Sequence, residues 1–151
     1  MGRLKGIPTI ISPELLHVLS SMGHGDEIVI ADANFPTASV CRAGPREVRA
    51  DGHGGAQLLQ AILKLMPLDH HETPVTLMAI EPQDAARGVK APIWDVYSSI
   101  VAQSEGDTVV FDKIDRFSFY ERAKRAYAVV QTGEVALYGN IILKMGVIEE
   151  K

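Results

Sequence analysis

A histidine framed by two glycines stands just before a short apolar run that ends in an aspartate and an asparagine. The histidine is His24, and the apolar residues 28–31 lead into Asp32 and Asn34. Imidazole changes its charge near neutral pH, so it can donate and recover a proton within one reaction cycle. A carboxylate can hold a ligand hydroxyl or orient such an imidazole. The pattern indicates proton transfer on a small polar ligand, but it is equally consistent with His24 in a surface turn and Asp32 as a loop cap.

Other polar side chains lie at the ends of predicted strands, where open α/β sheets bind their ligands. Glu81 follows one predicted strand, and Tyr138 and Asn140 follow another. Tyr120 lies in the first turn of a predicted helix with Arg116 just before it, and both side chains can form hydrogen bonds with a polyol. Taken alone, the residues favour simpler interpretations, with Tyr120 in the hydrophobic core and the glycine between Tyr138 and Asn140 in a hairpin turn.

Three further groups of residues do not support the chemistry that they first suggest. Residues 69–72 are Asp-His-His-Glu, but adjacent histidines share no face of a helix or strand, and neither HExxH nor a cysteine pair supports a metal site. The glycine-rich residues 51–55 lack the spacing of the known phosphate-binding motifs. Cys41 has no helix amino terminus or local base beside it in the sequence. The sequence therefore predicts no metal site, phosphate-binding loop or activated thiol.

Hydrophobic periodicity and breaker residues predict the elements that hold these side chains. One helix begins after Ser12 as its cap and ends at a glycine, and the partial negative charge at that end favours a protonated His24. Ser118 and Glu121 match a capping box, which predicts a helix that reaches about residue 130. The other predicted elements are strands over residues 27–32, 75–80, 108–111, 134–138 and 141–147, helices over 56–66 and 92–103, and a loop over 36–55 with a short strand near 47–49.

Helices that alternate with short buried strands predict a single α/β domain over residues 1–151, with a largely parallel sheet flanked by helices. The formal net charge of −4 and the pI of about 5.7 give no electrostatic reason to expect binding to nucleic acid or to an anionic membrane. No apolar stretch approaches the length of a membrane span. A single cysteine and the lack of a secretory signal favour a reducing compartment, so we expect a cytoplasmic protein.

Several segments together resemble the family of L-fucose mutarotases and ribose pyranases. Each segment alone is weak, but their order and spacing over nearly the whole chain make the resemblance specific, and they are more similar to the fucose branch. His53, beside one of these segments, departs from the family pattern, which leaves the role of that loop open. The segments are 11–16 (ISPELL), 22–27 (MGHGDE), 32–36 (DANFP), 49–52 (RADG), 116–123 (RFSFYERA), 132–134 (TGE) and 138–144 (YGNIILK).

The resemblance implies the α/β fold of that family and an enzyme that interconverts the α and β anomers of a pyranose, L-fucose in this branch, without metal or cofactor. It implies His24 as the acid/base, Tyr120 as a second catalytic candidate, and Asp32 as a carboxylate that binds the sugar or orients the imidazole. It also implies a homo-oligomer, in some members a decameric ring, with sites near subunit interfaces. The sugar-binding residues that it implies are Asp32, Asp69, Arg116, Tyr120, Tyr138 and Asn140.

Two alternatives stay open at this point. The chain could act mainly on another pyranose, such as ribose or galactose, because pocket shape depends on packing that the sequence does not give. It could also be a non-catalytic sugar-binding protein, which would keep Asp32, Tyr138 and Asn140 but would not need a titrating His24. A pH–rate profile with a limb near neutrality would favour the enzyme.

Overall fold

A six-stranded sheet forms the centre of the computed structural model, which describes residues 2–150. Met1 and Lys151, the ends of the predicted domain, lie outside the described residues. The strands are β1 Glu27–Ala31, β2 Arg46–Ala50, β3 Val75–Met78, β4 Phe111–Ile114, β5 Ala128–Thr132 and β6 Ile141–Lys144. Across the sheet their order is β2-β5-β1-β6-β3-β4.

The sheet is mostly parallel, as the sequence predicts. The pairs β1–β5, β2–β5 and β3–β4 are parallel, whereas β6 runs antiparallel to both β1 and β3. Ile30 near the end of β1 pairs with Ile141 at the start of β6. Because β6 is reversed, the residues just before it lie at the same edge of the sheet as the residues just after β1. Asp32 and Asn140 therefore meet at the carboxyl edge of the parallel strands.

Helices cover both faces of this sheet. They are α1 Pro13–Ser21, α2 Thr37–Cys41, α3 Gly55–Leu63, α4 Pro82–Ala86, α5 Ile93–Glu105 and α6 Arg116–Ala123. The predicted cap of α1 is confirmed, since the Ser12 hydroxyl accepts a hydrogen bond of 3.1 Å from the Leu15 amide. Within residues 2–150, no helix has the length and apolar character needed to cross a membrane.

Alternate side chains of the strands pack against different helix layers. Ile28 and Ile30 of β1 join a core with buried residues of α1, α3 and α5, whereas Val29 and Ala31 join a smaller core with residues of α2 and α6. All four side chains are almost completely buried. Full burial of an aliphatic side chain of this size is worth roughly 1.5–3 kcal/mol. Burial on both faces explains why β1 is a continuous apolar run rather than an alternating one.

The region after residue 115 departs most from the sequence prediction. Asp115, not Ser118, caps α6, because its carboxylate accepts a hydrogen bond of 3.2 Å from the Ser118 amide. The helix ends at Ala123, and the predicted extension to residue 130 is wrong. Residues 128–132 instead form β5, which lies between β1 and β2 with all five residues buried. Two adjacent valines favour this buried strand, and its pairing on both sides outweighs the helical spacing of the preceding residues.

Smaller differences concern short elements and strand bounds. Helix α2 lies inside the predicted loop 36–55, and β4 begins three residues later than predicted. The predicted strand over residues 134–138 is an irregular segment with a turn. Glu134 organises this segment, because its carboxylate accepts hydrogen bonds of 3.0 Å from the amides of Gly55 and Ala136. The loop conformation thus depends on a side chain that bridges to the start of α3.

Candidate functional site

The predicted site residues lie in two groups at opposite ends of β1. His24 precedes the strand and Asp32 follows it, and the five residues of β1 separate them by more than about 13 Å. The first group, His24 and Asp69, is joined by His71, which was not a predicted site residue. We call these three residues the His24 cluster. We call the second the Asp32 cluster; its members are Asp32, Arg116, Tyr120, Tyr138 and Asn140.

Backbone hydrogen bonds hold His24 in a tight turn between α1 and β1. The Gly25 amide donates to the Met145 carbonyl at 2.9 Å, and Gly25 has a φ of +88°, which favours glycine. The Asp26 carboxylate accepts a hydrogen bond of 2.8 Å from the Gly23 amide. An isolated bridge between Leu68 and Met145 brings the next residue of that loop, Asp69, to the same place. The glycine frame of His24 therefore has a structural cause.

Asp69 is the carboxylate that contacts His24. Its Oδ1 atom lies 3.2 Å from His24 Nε2, and the exposed fractions of the two side chains are 5% and 47% respectively. Burial tends to raise the pKa of Asp69, but hydrogen bonds from the His71 amide and from His24, together with the nearby imidazoles, outweigh this and lower it. Asp69 is thus ionised at neutral pH, and its carboxylate lies beside an imidazole that remains open to solvent.

The Asp32 cluster is centred on a buried carboxylate and amide. The Asp32 amide donates to Asn140 Oδ1 at 2.7 Å, and Asn140 Nδ2 donates to Asp32 Oδ2 at 3.2 Å. The other carboxylate oxygen accepts a hydrogen bond of 3.0 Å from the Asn34 amide. Burial raises the pKa of Asp32, and these hydrogen bonds offset the effect only in part. Asp32 and Asn140 do lie together, but Asn140 precedes β6 rather than following the predicted strand over residues 134–138. The roles of both residues stay predictions.

A buried glutamine fixes the backbone that carries Asp32. Gln131 Nε2 donates to the carbonyls of Asp32 and Thr132, both at 2.8 Å. Its Oε1 atom accepts a hydrogen bond of 2.5 Å from the Thr37 hydroxyl. Sequence analysis missed Gln131 because it missed β5. The run of β-branched residues before it was the signal that could have placed it at the end of a strand.

Arg116 and Tyr120 extend the cluster across the start of α6. Arg116 Nε lies 2.9 Å from Glu81 Oε1, and its guanidinium lies 5.7 Å from the centre of the Tyr120 ring. A hydrogen bond with Tyr120 and the Glu81 charge raise the pKa of Arg116. Tyr120 is half-buried and packs edge-on against Phe35 at 5.5 Å between ring centres. The ring therefore contributes to the core, as the simpler interpretation expects, but it also borders the polar cluster.

Tyr138 occupies a left-handed backbone conformation, with a φ of +59°. Such a conformation is uncommon for an aromatic residue and persists where surrounding contacts enforce it. The Trp94 indole donates to the Tyr138 carbonyl at 3.0 Å, and the Glu81 amide donates to its hydroxyl at 3.1 Å. The hydroxyl in turn donates to Asp84. Burial and the Asp84 interaction raise the pKa of Tyr138, which keeps this hydroxyl protonated.

The arrangement has two separate chemical capacities. The His24 cluster offers an exposed imidazole beside an ionised carboxylate, which suits proton transfer. The Asp32 cluster offers fixed carboxylate, amide, phenol and guanidinium groups, which suit recognition of several hydroxyls. One chain does not bring Asp32 to His24, so the expected orientation of the imidazole by Asp32 does not occur within it. Asp69 occupies that position instead.

The single cysteine of the chain is not suited to catalysis. Cys41 is half-buried, and burial together with the Glu47 charge raises the pKa of its thiol to about 11. It is therefore protonated at neutral pH and weakly nucleophilic. This agrees with the expectation that the sequence around Cys41 provides no activated thiol.

The chain is similar in sequence and structure to known proteins. A model of the RbsD / FucU transport protein family matches residues 5–148. The chain is 57% identical over 145 residues to the fucose mutarotase of Danio rerio, which covers 96% of this chain and 94% of the relative. It is 49% identical to the solved structure of FucU from Bifidobacterium longum, with a TM-score of 0.90 over 96% of this chain and all of that one.

A second solved structure is that of the fucose mutarotase of Streptococcus pneumoniae in complex with L-fucose. It is 44% identical to this chain and has a TM-score of 0.88, covering 97% of this chain and 100% of that one. These matches span the complete sheet and therefore include both clusters.

Proposed function

The chain belongs to the RbsD / FucU family, and on this premise we propose that it catalyses fucose mutarotation, the interconversion of the α and β anomers of L-fucopyranose. The enzyme is an isomerase. The observation that carries the proposal is the half-exposed His24 imidazole on the buried, ionised Asp69. Similarity to fucose mutarotases over nearly the whole chain supports it.

Mutarotation requires two proton transfers and no change in oxidation state. The anomeric hydroxyl on C1 loses its proton, the ring oxygen O5 gains one, and the C1–O5 bond breaks to give an aldehyde and a hydroxyl. The chain then rotates about the C1–C2 bond and closes on the other face. A positioned acid or base contributes about 10²–10⁴-fold to such a step. His24 protonates O5 on opening and recovers that proton on closure, while Asp69 stabilises the imidazolium.

The second proton transfer needs a group that faces the anomeric hydroxyl. Tyr120 is the candidate, because its phenol borders the Asp32 cluster and lies beside the Arg116 guanidinium. Within one chain Tyr120 and His24 lie on different ends of the sheet. A complete site therefore requires the His24 cluster of one copy to face the Asp32 cluster of a second copy.

Exposed apolar side chains support this composite site. They flank both clusters, although surface positions usually carry polar residues. Near the His24 cluster they are Val110, Val147 and Ile148, and near the Asp32 cluster they are Phe117, Val135 and Leu137. A contact between these two different surfaces is heterologous, and repetition of such a contact closes a ring when the rotation permits. In this proposal the homo-oligomer is a ring in which that contact repeats and closes, with the sites at its interfaces.

The Asp32 cluster provides the sugar preference in this proposal. Asp32 and Asn140 hold hydroxyls remote from C1, and a sugar that lacks a matching hydroxyl leaves a buried polar group unpaired, which costs about 1–3 kcal/mol. The end of the sugar that carries C1 must stay free to rotate after ring opening. We accordingly place that end at the exposed His24 imidazole rather than at the buried carboxylate. The single, protonated Cys41 is compatible with the cytoplasm, where we propose that the enzyme acts.

Anomer exchange measured by saturation-transfer NMR on L-fucose tests the proposal. We expect wild type to accelerate exchange, and His24→Ala to lose about 10²–10⁴-fold of that acceleration with its fold retained. His17→Ala, on the exposed face of α1, is the matched control and should keep full activity. If His24→Ala retained most of the activity, the assignment of the acid would be wrong. If wild type bound sugars but accelerated exchange of neither fucose, ribose nor galactose, the chain would be a sugar-binding protein.

A further inference from the structure

The His24 cluster has the composition of a metal site that spans two distant parts of the chain. One potential ligand atom from each of His24, Asp69 and His71 lies within 4.8 Å of the others. The His24 and His71 rings are 5.7 Å apart between centres and tilted by 49°. The neighbouring His70 turns elsewhere, with its Nε2 atom 3.8 Å from Glu105 Oε2. The adjacent histidines His70 and His71 thus point apart, as expected. The second imidazole of the cluster comes instead from His24, before β1.

The distances suit a small transition-metal ion. Zinc binds imidazole nitrogen and carboxylate oxygen at about 2.0–2.2 Å, which places two tetrahedral ligands about 3.3–3.6 Å apart. His24 Nε2 and Asp69 Oδ1 are already 3.2 Å apart. The third ligand, His71, is an exposed side chain, so a rotamer adjustment can bring its imidazole closer without disturbing the core. Two imidazoles and a carboxylate leave the fourth zinc position open for water or a ligand hydroxyl.

The buried carboxylate gives this site a fixed centre. Asp69 is 5% exposed at its side chain and accepts a hydrogen bond from the His71 amide at 3.2 Å. That hydrogen bond fixes the backbone of His71 relative to the Asp69 carboxylate, so the two side chains stay close together. A surface cavity of about 310 Å³ opens beside Asp69, His70 and His71. An ion can therefore reach Asp69 and His71 from this cavity, and the half-exposed His24 side chain is open to solvent beside them.

We propose that His24, Asp69 and His71 bind a divalent transition-metal ion such as Zn²⁺, and that the bound ion inhibits anomer exchange. The ion binds the His24 nitrogen that faces Asp69. Because the metal-bound ring cannot form the imidazolium, His24 no longer donates a proton to the sugar. The binding itself does not depend on the proposed function, whereas the inhibition rests on it. Hard cations such as Mg²⁺ and Ca²⁺ prefer oxygen ligands and do not compete at this set.

Metal binding is measured directly by calorimetry on the full-length assembled protein, with Zn²⁺ alone as the titrant and Co²⁺ absorption as a second readout. We expect one tight site per chain in wild type. His71→Asn should weaken Zn²⁺ binding by at least about 10-fold, since loss of even an indirect partner has an effect of that size. The exposed neighbour provides the matched control, because His70→Asn should leave the affinity unchanged. Circular dichroism confirms that both variants are folded.

Anomer exchange of L-fucose in the presence of Zn²⁺ tests the inhibition. Each variant is compared with its own exchange rate without metal, and His71→Asn should require at least about 10-fold more Zn²⁺ than wild type for the same fractional inhibition. Absence of a tight site in wild type, or equal weakening by His70→Asn and His71→Asn, would overturn the metal site. Binding that depends on His71 but leaves exchange unaffected would overturn the inhibition. Zinc binding in a protein that exchanges no sugar would instead refute the proposed function while the metal site stands.

Discussion

The two ends of β1 carry carboxylates in opposite electrostatic situations. At one end Asp69 accepts hydrogen bonds from His24 and from the His71 amide, and its pKa lies below the usual value. At the other end Asp32 is buried against Asn140, and burial raises its pKa. The first arrangement stabilises the charged Asp69 carboxylate beside the exposed His24 imidazole. The second holds the hydrogen-bonding groups of Asp32 and Asn140 in a buried position. Under the proposed function, proton transfer and sugar recognition are therefore assigned to different ends of one sheet.

Removal of the charge on Asp69 should lower activity strongly even though the His24 imidazole stays in place. Asp69→Asn keeps the shape of the side chain but no longer stabilises the imidazolium, so we expect anomer exchange of L-fucose to fall by about 10²-fold or more. Saturation-transfer NMR measures this rate. Glu72→Gln, an exposed acidic neighbour paired with Lys144, is the control and should keep its activity. Equal activity of Asp69→Asn and wild type would show that the pair with His24 is not part of proton transfer.

A smaller effect is expected where the recognition end is held in place. The Tyr97 hydroxyl donates a hydrogen bond of 2.8 Å to the carbonyl of Gly139, which is buried between Tyr138 and Asn140. Tyr97→Phe leaves this carbonyl unpaired, so the free energy of unfolding should fall by about 1 kcal/mol. The KM for L-fucose should rise more than kcat falls. Urea unfolding and exchange kinetics measure both, with Tyr127→Phe, half-buried against the same core, as the control.

If Tyr97→Phe lowered kcat and left KM unchanged, the turn around Gly139 would serve the chemical step rather than sugar binding. That result would contradict the assignment of sugar binding and proton transfer to different ends of the sheet.

The direction in which stability changes with pH reports on the buried Asp32 carboxylate. The pKa of Asp32 is raised in the folded protein, so the folded state holds this proton more tightly than the unfolded chain. The resulting stabilisation is complete below the ordinary aspartate pKa and is lost as pH rises through the folded value. Lowering the pH from 7 should therefore stabilise wild type relative to Asp32→Asn in urea unfolding. The exposed control Asp107→Asn should show no such relative change, and a change of the opposite sign for Asp32→Asn would contradict the assigned burial.

The sequence predicted the position of Asp32 better than the contact between His24 and Asp69. Asp32 follows a clear apolar strand, and strand ends are where α/β sheets bind ligands, so its position follows from a local pattern. The pair of His24 and Asp69 joins residues 45 positions apart. It depends on the bridge between Leu68 and Met145, which no local pattern indicates. The resemblance to a family named Asp69, but only packing reveals its contact.

The role of Gln131 shows how one wrong element hides part of a site. Helical spacing and an apparent capping box at Ser118 predicted a long helix, although Asp115 is the cap and β5 follows. Two-sided pairing of β5 with β1 and β2 decides this region, and such pairing lies beyond short-range propensity. The proposed composite site is likewise not predictable from any single segment, because the proposal rests on the distance between the two ends of β1.

Complementation between inactive copies tests most directly whether each site combines the two ends from different chains. His24→Ala and Asp32→Asn, each first verified to be inactive alone, are co-expressed with different affinity tags, and oligomers that contain both are purified. If a site takes His24 from one copy and Asp32 from the next, random mixing restores about a quarter of the sites, and L-fucose exchange should recover to about that fraction of wild type. If mixed oligomers of confirmed composition stayed as inactive as either parent, each chain would hold a complete site of its own, and the composite account would be wrong.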